Sequence, residues 1–298
     1  MHIKLRHIEV FNAVMEEGSI SKAAKRLNLS QPAVSIALSN FEERIGYSLF
    51  HRSKGHFSPR PEAFALKADA ELSVMAIERF GNKAALIAKG GTGYIRVGSI
   101  GAPAFSILPG LMSSFASENP LVEVDLQVRS SARVAYLVGN AQLDLGLIEA
   151  PVAAPNIISQ TFEVPCFCIM RETSELADKQ FIEPGDLVGQ RLIGIDPGNH
   201  VERALQAACA DAGVELNIAM RGFFFAIVRR MVAEGDAIAV VDALNGVSSL
   251  SDGVVARPFH PVIHHRLALI TNSGSDLSGP AAQLSAMIAD SLGEVSKV

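Results

Sequence analysis

The sequence predicts two folding units of different class, a small helical head closed by a β-hairpin and a larger α/β body, joined by one long helix. Three observations carry this. Apolar residues recur at helical spacing over the first 45 positions; residues 62–89 hold one Gly and no Pro; and from Tyr94 onward short β-rich runs alternate with helical segments. A length of 298 residues suits two domains and leaves ample apolar surface to bury.

In the head, Leu5, Ile8, Phe11, Val14 and Met15 recur at three- and four-residue steps, which predicts an amphipathic first helix stopping near Gly18. Ser19 is placed to cap a short second helix over 21–27, whose Ala23, Ala24 and Leu27 form a narrow stripe that lets another helix approach closely. Ser30 can cap a third helix with Pro32 in its first turn, where a missing N–H costs nothing. Val34, Leu38, Phe41 and Ile45 give that helix its buried face, and Gly46 ends it. Gln31, Ser35, Ile36 and Ser39 are thereby turned outward. Leu49-Phe50 then leads into a basic hairpin over 51–57 with Gly55 at its tip.

Two short helices joined by a tight turn, the second carrying small polar side chains near its start, describe a helix-turn-helix reader of the major groove. Gln31 can pair with adenine through its amide, while Ser35 and Ser39 can reach bases or phosphates. The hairpin is a wing that sets Arg52, Lys54 and Arg60 beside backbone phosphates. Charge agrees with this division. Residues 1–61 carry nine Lys/Arg against five acids, a net of +4, whereas from Gly91 onward 13 basic residues face 22 acids. The overall net charge of -5 therefore conceals a basic head on an acidic body.

The run from Ser19 to Ser35, with Phe41-Glu42-Glu43, Gly46, Leu49-Phe50 and Arg52, resembles the winged helix-turn-helix of LysR-type transcriptional regulators. Two positions depart from the usual pattern. Ile36 stands where a polar or basic residue is customary, and Arg60-Pro61-Glu62-Ala63 replaces a Thr-Pro-x-Gly ending of the wing; the second departure is shared with regulators of octopine and nopaline catabolism. Ile36 is expected to pack on a thymine methyl.

Between 62 and 89, Ala68, Leu72, Met75, Ala76, Phe80, Ala84 and Ile87 fall on one helical stripe. About 28 helical residues span roughly 40 Å, too long for a lone helix to bury its stripe, so a second copy is the expected partner. The Gly-rich run 89–93 reads as a joint. The expected domains are thus 1–61 for DNA binding, 62–89 for the linker and dimerisation helix, and 90–298 for the body.

The body is read as α/β with mostly parallel strands, near 95–99, 122–128, 143–148, 166–170, 192–195, 216–221, 237–241 and 265–270. Helices are expected from Pro103 and Ser131, and over 201–212, 225–234 and 278–292. The order of elements resembles the effector-binding domain of the same family. This implies two lobes like those of a periplasmic binding protein, lobe I near 93–163 and 266–298 and lobe II near 164–265.

Open α/β sheets bind ligands beyond the carboxyl ends of strands, against helix N-termini. Those positions here are Ser99, Ile100, Gly101 and Ala102, then Ser130 and Ser131, then Gly198, Asn199 and His200, with the run Phe223, Phe224 and Phe225 starting a fourth helix. Glu149 and Asp242 end two further strands. The set suits an effector with both a carboxylate and a cation, such as an amino acid, an opine-like conjugate or a betaine. Ser131 serves equally well as a helix cap, and His200 as a capping or packing residue.

Other classes find less support. No apolar run approaches the roughly 18 residues of a membrane span despite a mean hydropathy of +0.27, and the first residues do not read as a signal peptide. Cys166, Cys168 and Cys209 are an odd set, expected to be buried small hydrophobes in a reducing cytoplasm rather than metal ligands. No phosphate loop, nucleophile elbow, dinucleotide fingerprint or zinc helix motif is present, which leaves an α/β enzyme or a solute receptor as the weaker alternatives; no cofactor is expected. The resemblance implies double-stranded DNA with an inverted-repeat operator, a small effector, RNA polymerase and a homodimeric or homotetrameric partner.

Overall fold

A computed structural model describes residues 3–53, 56–88, 93–152, 154–247 and 251–297. The chain divides into two compact units, Met1–Lys89 and Gly90–Val298.

The first unit opens with α1 (Leu5–Glu17), α2 (Ile20–Arg26) and α3 (Gln31–Ile45). Gly18 and Gly46 close α1 and α3 at φ of 61° and 86°, the left-handed conformation glycine adopts without steric cost. Ser30 caps α3 by accepting from the Ala33 N–H, but the Ser19 hydroxyl makes no such bond at α2. The core joins Val10, Phe11 and Val14 to Ala23, Ala24, Val34, Leu38 and Phe41. The methyl-sized side chains of α2 are what let three helices meet this closely. β1 (Phe50–Ser53) and β2 (His56–Pro59) form the antiparallel hairpin, with Phe50 stacked on Phe57 at 4.9 Å.

α4 (Pro61–Ala88) follows at once, and its Ala63 and Ala70 are buried with Leu66 packed against the same core. Its predicted stripe lies elsewhere: Leu72, Met75 and Ala76 are half-buried, Ala68 and Ala84 exposed, and Phe80 is 73% exposed. The Ile87 side chain lies outside the described residues.

The second unit contains β3 (Gly93–Ser99), α5 (Gly101–Ala104), α6 (Ile107–Glu118), β4 (Val122–Val128), α7 (Ser131–Gly139), β5 (Leu145–Glu149) and β6 (Ile157–Arg171). Then come a 3-10 turn (Pro184–Leu187), β7 (Arg191–Gly194), α8 (His200–Asp211), β8 (Asn217–Arg221), α9 (Phe225–Glu234) and β9 (Ala239–Asp242). α10 (Ala243–Gly246), β10 (Val254–Pro258), β11 (His264–Asn272) and α11 (Gly279–Val295) complete it.

β6 explains the two lobes. Its first nine residues, 157–165, pair with β11 in the order β4-β3-β5-β11-β6, while Cys166–Ile169 pair with β9 and 167–171 with β10. One strand thus serves two sheets, and β11 returns the chain beside the changeover at His264 and His265. Leu108, Phe115, Leu145, Leu147, Leu284 and Ile288 fill lobe I. Cys168, Ile169, Leu192, Leu205, Val228 and Val240 fill lobe II.

The expectation of mostly parallel strands is corrected here. β3 runs parallel to β4 and β5, and β7 to β8, but β11 is antiparallel to β5 and β6, and β6 to β9 and β10. The strands linking the lobes run against the others, and apolar content carries no information about direction. The first half of β6, mostly exposed over 157–161, and the short β10, half-buried with Arg257 and Pro258 at its end, carry no clear strand pattern in the sequence. Cys166 and Cys168 share one buried face of β6, where burial pushes both thiols up, Cys168 to about 12.

Candidate functional site

In the head, α3 presents Ile36 with 61% of its surface exposed, between the half-buried Ser35 and the exposed Ser39. Gln31 and Pro32 begin the helix, and the Gln31 amide oxygen accepts from the Ser21 hydroxyl at 3.1 Å. Arg52 of the wing donates to Ser39 Oγ at 2.8 Å and to Glu42 Oε2 at 2.7 Å. The other Glu42 oxygen accepts the Leu49 and Phe50 N–H groups at 2.7 and 3.1 Å, so one carboxylate fixes the wing's root to α3. Arg60 is half-buried, its backbone N–H on Leu49 and its Nε enclosed with no partner among the described residues. Lys54 lies outside the described residues.

In the body, a cavity of about 560 Å³ opens between the lobes. Lobe I contributes Ile100, Gly101, Ala102, Val128, Arg129, Ser130, Ser131 and Glu149; lobe II contributes Ile195, Asp196, Gly198, Asn199, Phe223, Phe224 and Phe225. The caps of four helices line it: Ile100 (α5), Ser130 (α7), Asn199 (α8) and Phe224 (α9). Ile100 and Phe224 offer no capping side chain, which leaves backbone donors free at those ends. Ser130 and Asn199 do cap, accepting from Arg133 and Val201 N–H groups. The Ser131 hydroxyl accepts the Glu149 N–H at 3.2 Å.

Three predicted contacts are corrected. Ser99 is fully buried and donates to the Ile100 carbonyl, because the end of β3 turns its side chain inward. His200 is exposed and does not line the cavity, its place taken by the preceding cap, Asn199. Asp242 is 0% exposed and lies behind the wall: it accepts the backbone and side-chain N–H groups of Asn245 at 3.1 and 2.7 Å, and its Oδ2 sits 2.7 Å from His265 Nδ1.

Phe224, within the Phe223 to Phe225 run expected at the cleft, and His265, which no signal in the sequence marks, also line the cavity. His265 lines the cavity floor at the lobe changeover, with Nδ1 on Asp242 and Nε2 at 3.5 Å from Glu149 Oε1. At that distance the second pair is an ionic contact rather than a short hydrogen bond. Burial alone would depress the imidazolium, but the Asp242 and Glu149 carboxylates outweigh it and raise His265 to about 9. The His265 imidazolium in turn holds the Glu149 carboxyl below its ordinary value, against the opposing effect of burial. Asn199 of lobe II donates to Glu149 Oε1 at 3.0 Å across the cavity. The Phe224 ring lies on Gly101 of the facing lobe and edge-on to Phe105 at 5.2 Å.

Comparison with known proteins matches the family model described as the LysR substrate binding domain over residues 88–293. The chain belongs to the LysR family. The model for the bacterial regulatory helix-turn-helix protein of the same family matches residues 5–63. This LysR-family protein is therefore a transcriptional regulator that couples a helix-turn-helix head to an effector-binding domain. Among its relatives, "Regulatory protein NocR" of Agrobacterium fabrum is 28% identical over 97% of each chain. "Octopine catabolism/uptake operon regulatory protein OccR" of Rhizobium meliloti is 26% identical over 86% of this chain and 85% of its own. Among solved structures, CbnR, a LysR family transcriptional regulator, superposes with a TM-score of 0.74 at 19% identity, covering 97% of this chain and 99% of its own. Full-length CbnR complexed with its target DNA gives 0.72 at the same identity, over 98% and 100%. No helix among the described residues is long and apolar enough to cross a membrane.

Proposed function

We propose that this LysR-family regulator binds an inverted-repeat operator as a homodimer or homotetramer, and that a small amphoteric effector in the cleft sets how it does so. The observation that carries the reading is the convergence on one cavity of four helix starts, an ionised Glu149 and three Phe side chains. Helix starts favour a carboxylate, and a buried carboxylate favours a cation. Ser130, Ser131, Ile100, Gly101 and Ala102 are assigned to the effector from lobe I, and Asn199, Phe223 and Phe225 from lobe II. The name of the relative that regulates octopine catabolism and uptake supports an opine-like class of ligand.

In the head, Ser30, Gln31, Pro32, Ser35, Ile36 and Ser39 are assigned to the major groove, with Arg52, Lys54 and Arg60 at phosphates. The exposed apolar side of α4 favours self-association. Closing the cleft would alter the spacing and angle of paired heads, and through them DNA bending and contact with RNA polymerase.

A thermal-shift panel of amino acids, opine-like conjugates, betaines and simple carboxylates on the full chain tests the effector class. Stabilisation by amphoteric members supports it. Stabilisation confined to uncharged or purely anionic compounds refutes the amphoteric class.

A further inference from the structure

Resting on the effector-cleft reading, we propose that Glu149 is the seat for an N–H-bearing cation of the effector, an ammonium or guanidinium, and that His265 is the positioning residue that keeps this seat anionic and fixed. Glu149 is held on three sides. Its backbone N–H is taken by Ser131, Asn199 donates to Oε1 from the facing lobe, and His265 Nε2 lies 3.5 Å from the same oxygen. Oε2 accepts from none of the described residues, and the side chain, 36% exposed, lines the cavity.

The second observation lies behind it. The His265 side chain is 1% exposed, and its Nε2 is enclosed without a hydrogen-bond partner while pointing toward Glu149. Nδ1 donates to Asp242. A neutral ring in this tautomer would turn the Nε2 lone pair on a carboxylate; a doubly protonated ring turns an N–H. Two carboxylates then flank one imidazolium, and Arg203 of α8 is a further cation acting on Glu149. Arg129 on the rim donates to its own neighbour's carbonyl, Val128 O. A half-buried carboxylate gains from a charged N–H donor, and the free Glu149 oxygen is where an N–H cation of the effector can supply one.

A proton linkage follows. The groups facing the His265 ring are Asp242 from β9 and Glu149 from β5, with Phe225 of α9 edge-on; the Cys166 thiol of β6 meets the His265 backbone, and His200 and Arg203 of α8 act on Glu149. A ligand cation at Glu149 weakens its hold on the His265 proton, which leaves to solvent. Cation binding therefore tightens as pH rises toward about 9. A purely anionic ligand reverses that sign.

The test uses the full chain with L-arginine and L-ornithine as probes, against pentanoate and glycine betaine, each at roughly 20 mM. Melting temperature is read in the wild type, Glu149→Gln and His265→Asn, the last keeping an amide donor for Asp242 while removing the atom that faces Glu149. An N–H cation should stabilise the wild type where pentanoate and betaine do not. Glu149→Gln should weaken that binding by at least about tenfold, and His265→Asn, which removes the titrating ring, should flatten its pH profile. In histidine-labelled protein, the bound probe should also lower the His265 titration midpoint, a change that a merely structural histidine would not make. Equal stabilisation by pentanoate or betaine, a cation effect that survives Glu149→Gln, or no effect of either cation overturns the proposal. If pentanoate alone binds and alters DNA binding, the cleft reading stands and the cation seat falls.

Discussion

Replacing Gly101 by alanine would place a methyl carbon 2.2 Å from Phe224 Cδ1, 2.7 Å from Cε1 and 3.1 Å from Cγ. Ordinary contact begins near 3.4 Å, so the ring must retreat by about 1.2 Å, the difference between the two distances. Phe224 is half-buried and can swing, which keeps the cost at the lower end of the usual overpacking range of about 1–3 kcal/mol. Swinging gives up the edge contact with Phe105, worth about 0.5–1.5 kcal/mol, so a net loss near 2 kcal/mol is expected. For a unit of this size that lowers the melting temperature by about 4–8 °C. Gly101 and Phe224 belong to opposite lobes, so the same methyl props the cleft and should diminish stabilisation by any cleft ligand. DNA binding by the head should persist. Calorimetry with and without ligand, beside a mobility-shift assay, measures all three. A melting temperature within about 1 °C of wild type, together with a full ligand response, would refute the reasoning.

Three further outcomes follow from particular contacts. Arg52→Ala removes a side chain that bridges Ser39 and Glu42 at the wing root; operator affinity should fall and the salt slope should shrink by about one, with little change in melting because the pair is partly exposed. An unchanged slope in a salt titration counts against a phosphate role. Ile36→Ala should cost about 1 kcal/mol at operator positions where a thymine methyl meets α3, and an unaltered ranking of T-substituted operators would remove that contact. Stability should also depend on pH with a defined sign. His265 is raised from 6.5 to about 9 in the fold, so its contribution is complete below pH 6.5 and is lost as pH rises through 9, by up to about 3 kcal/mol. Glu149 is lowered, so its part is lost as pH falls below the ordinary carboxylate range. Denaturation titrations from about pH 2 to 10 check both limbs, and His265→Asn should flatten the alkaline one.

The head was legible because its signals are local. Helix periodicity, the Ser30 cap and the left-handed Gly18 and Gly46 each act within a few residues, and together they set three helices and the wing. The cleft was legible only in part. Helix starts after strands could be read, which gave Ser130, Ser131 and Asn199, and a strand end gave Glu149. Side-chain direction at those ends could not. Phe224 adopts extended backbone as the α9 cap and meets the facing lobe, whereas its neighbour Phe225 is buried beside His265. Asp242 ends a strand, as expected of a ligand-facing acid, but its carboxylate turns back to Asn245 and His265. His265 carries no local mark at all. Its role depends on β6 switching sheets between Pro165 and Cys166 and on β11 returning at the same level, a meeting of segments about a hundred residues apart.

In the proposed mechanism, occupancy of the cleft governs how the head holds DNA. Its most direct test is a footprint of the full chain on DNA fragments that it selects from a random duplex library, with and without the compound that most raises its melting temperature. A protected inverted repeat is expected, whose length or bend changes with the compound in the wild type and stays fixed in Glu149→Gln. Selection of no common sequence, or a footprint that the compound leaves unchanged while it stabilises the protein, would contradict it.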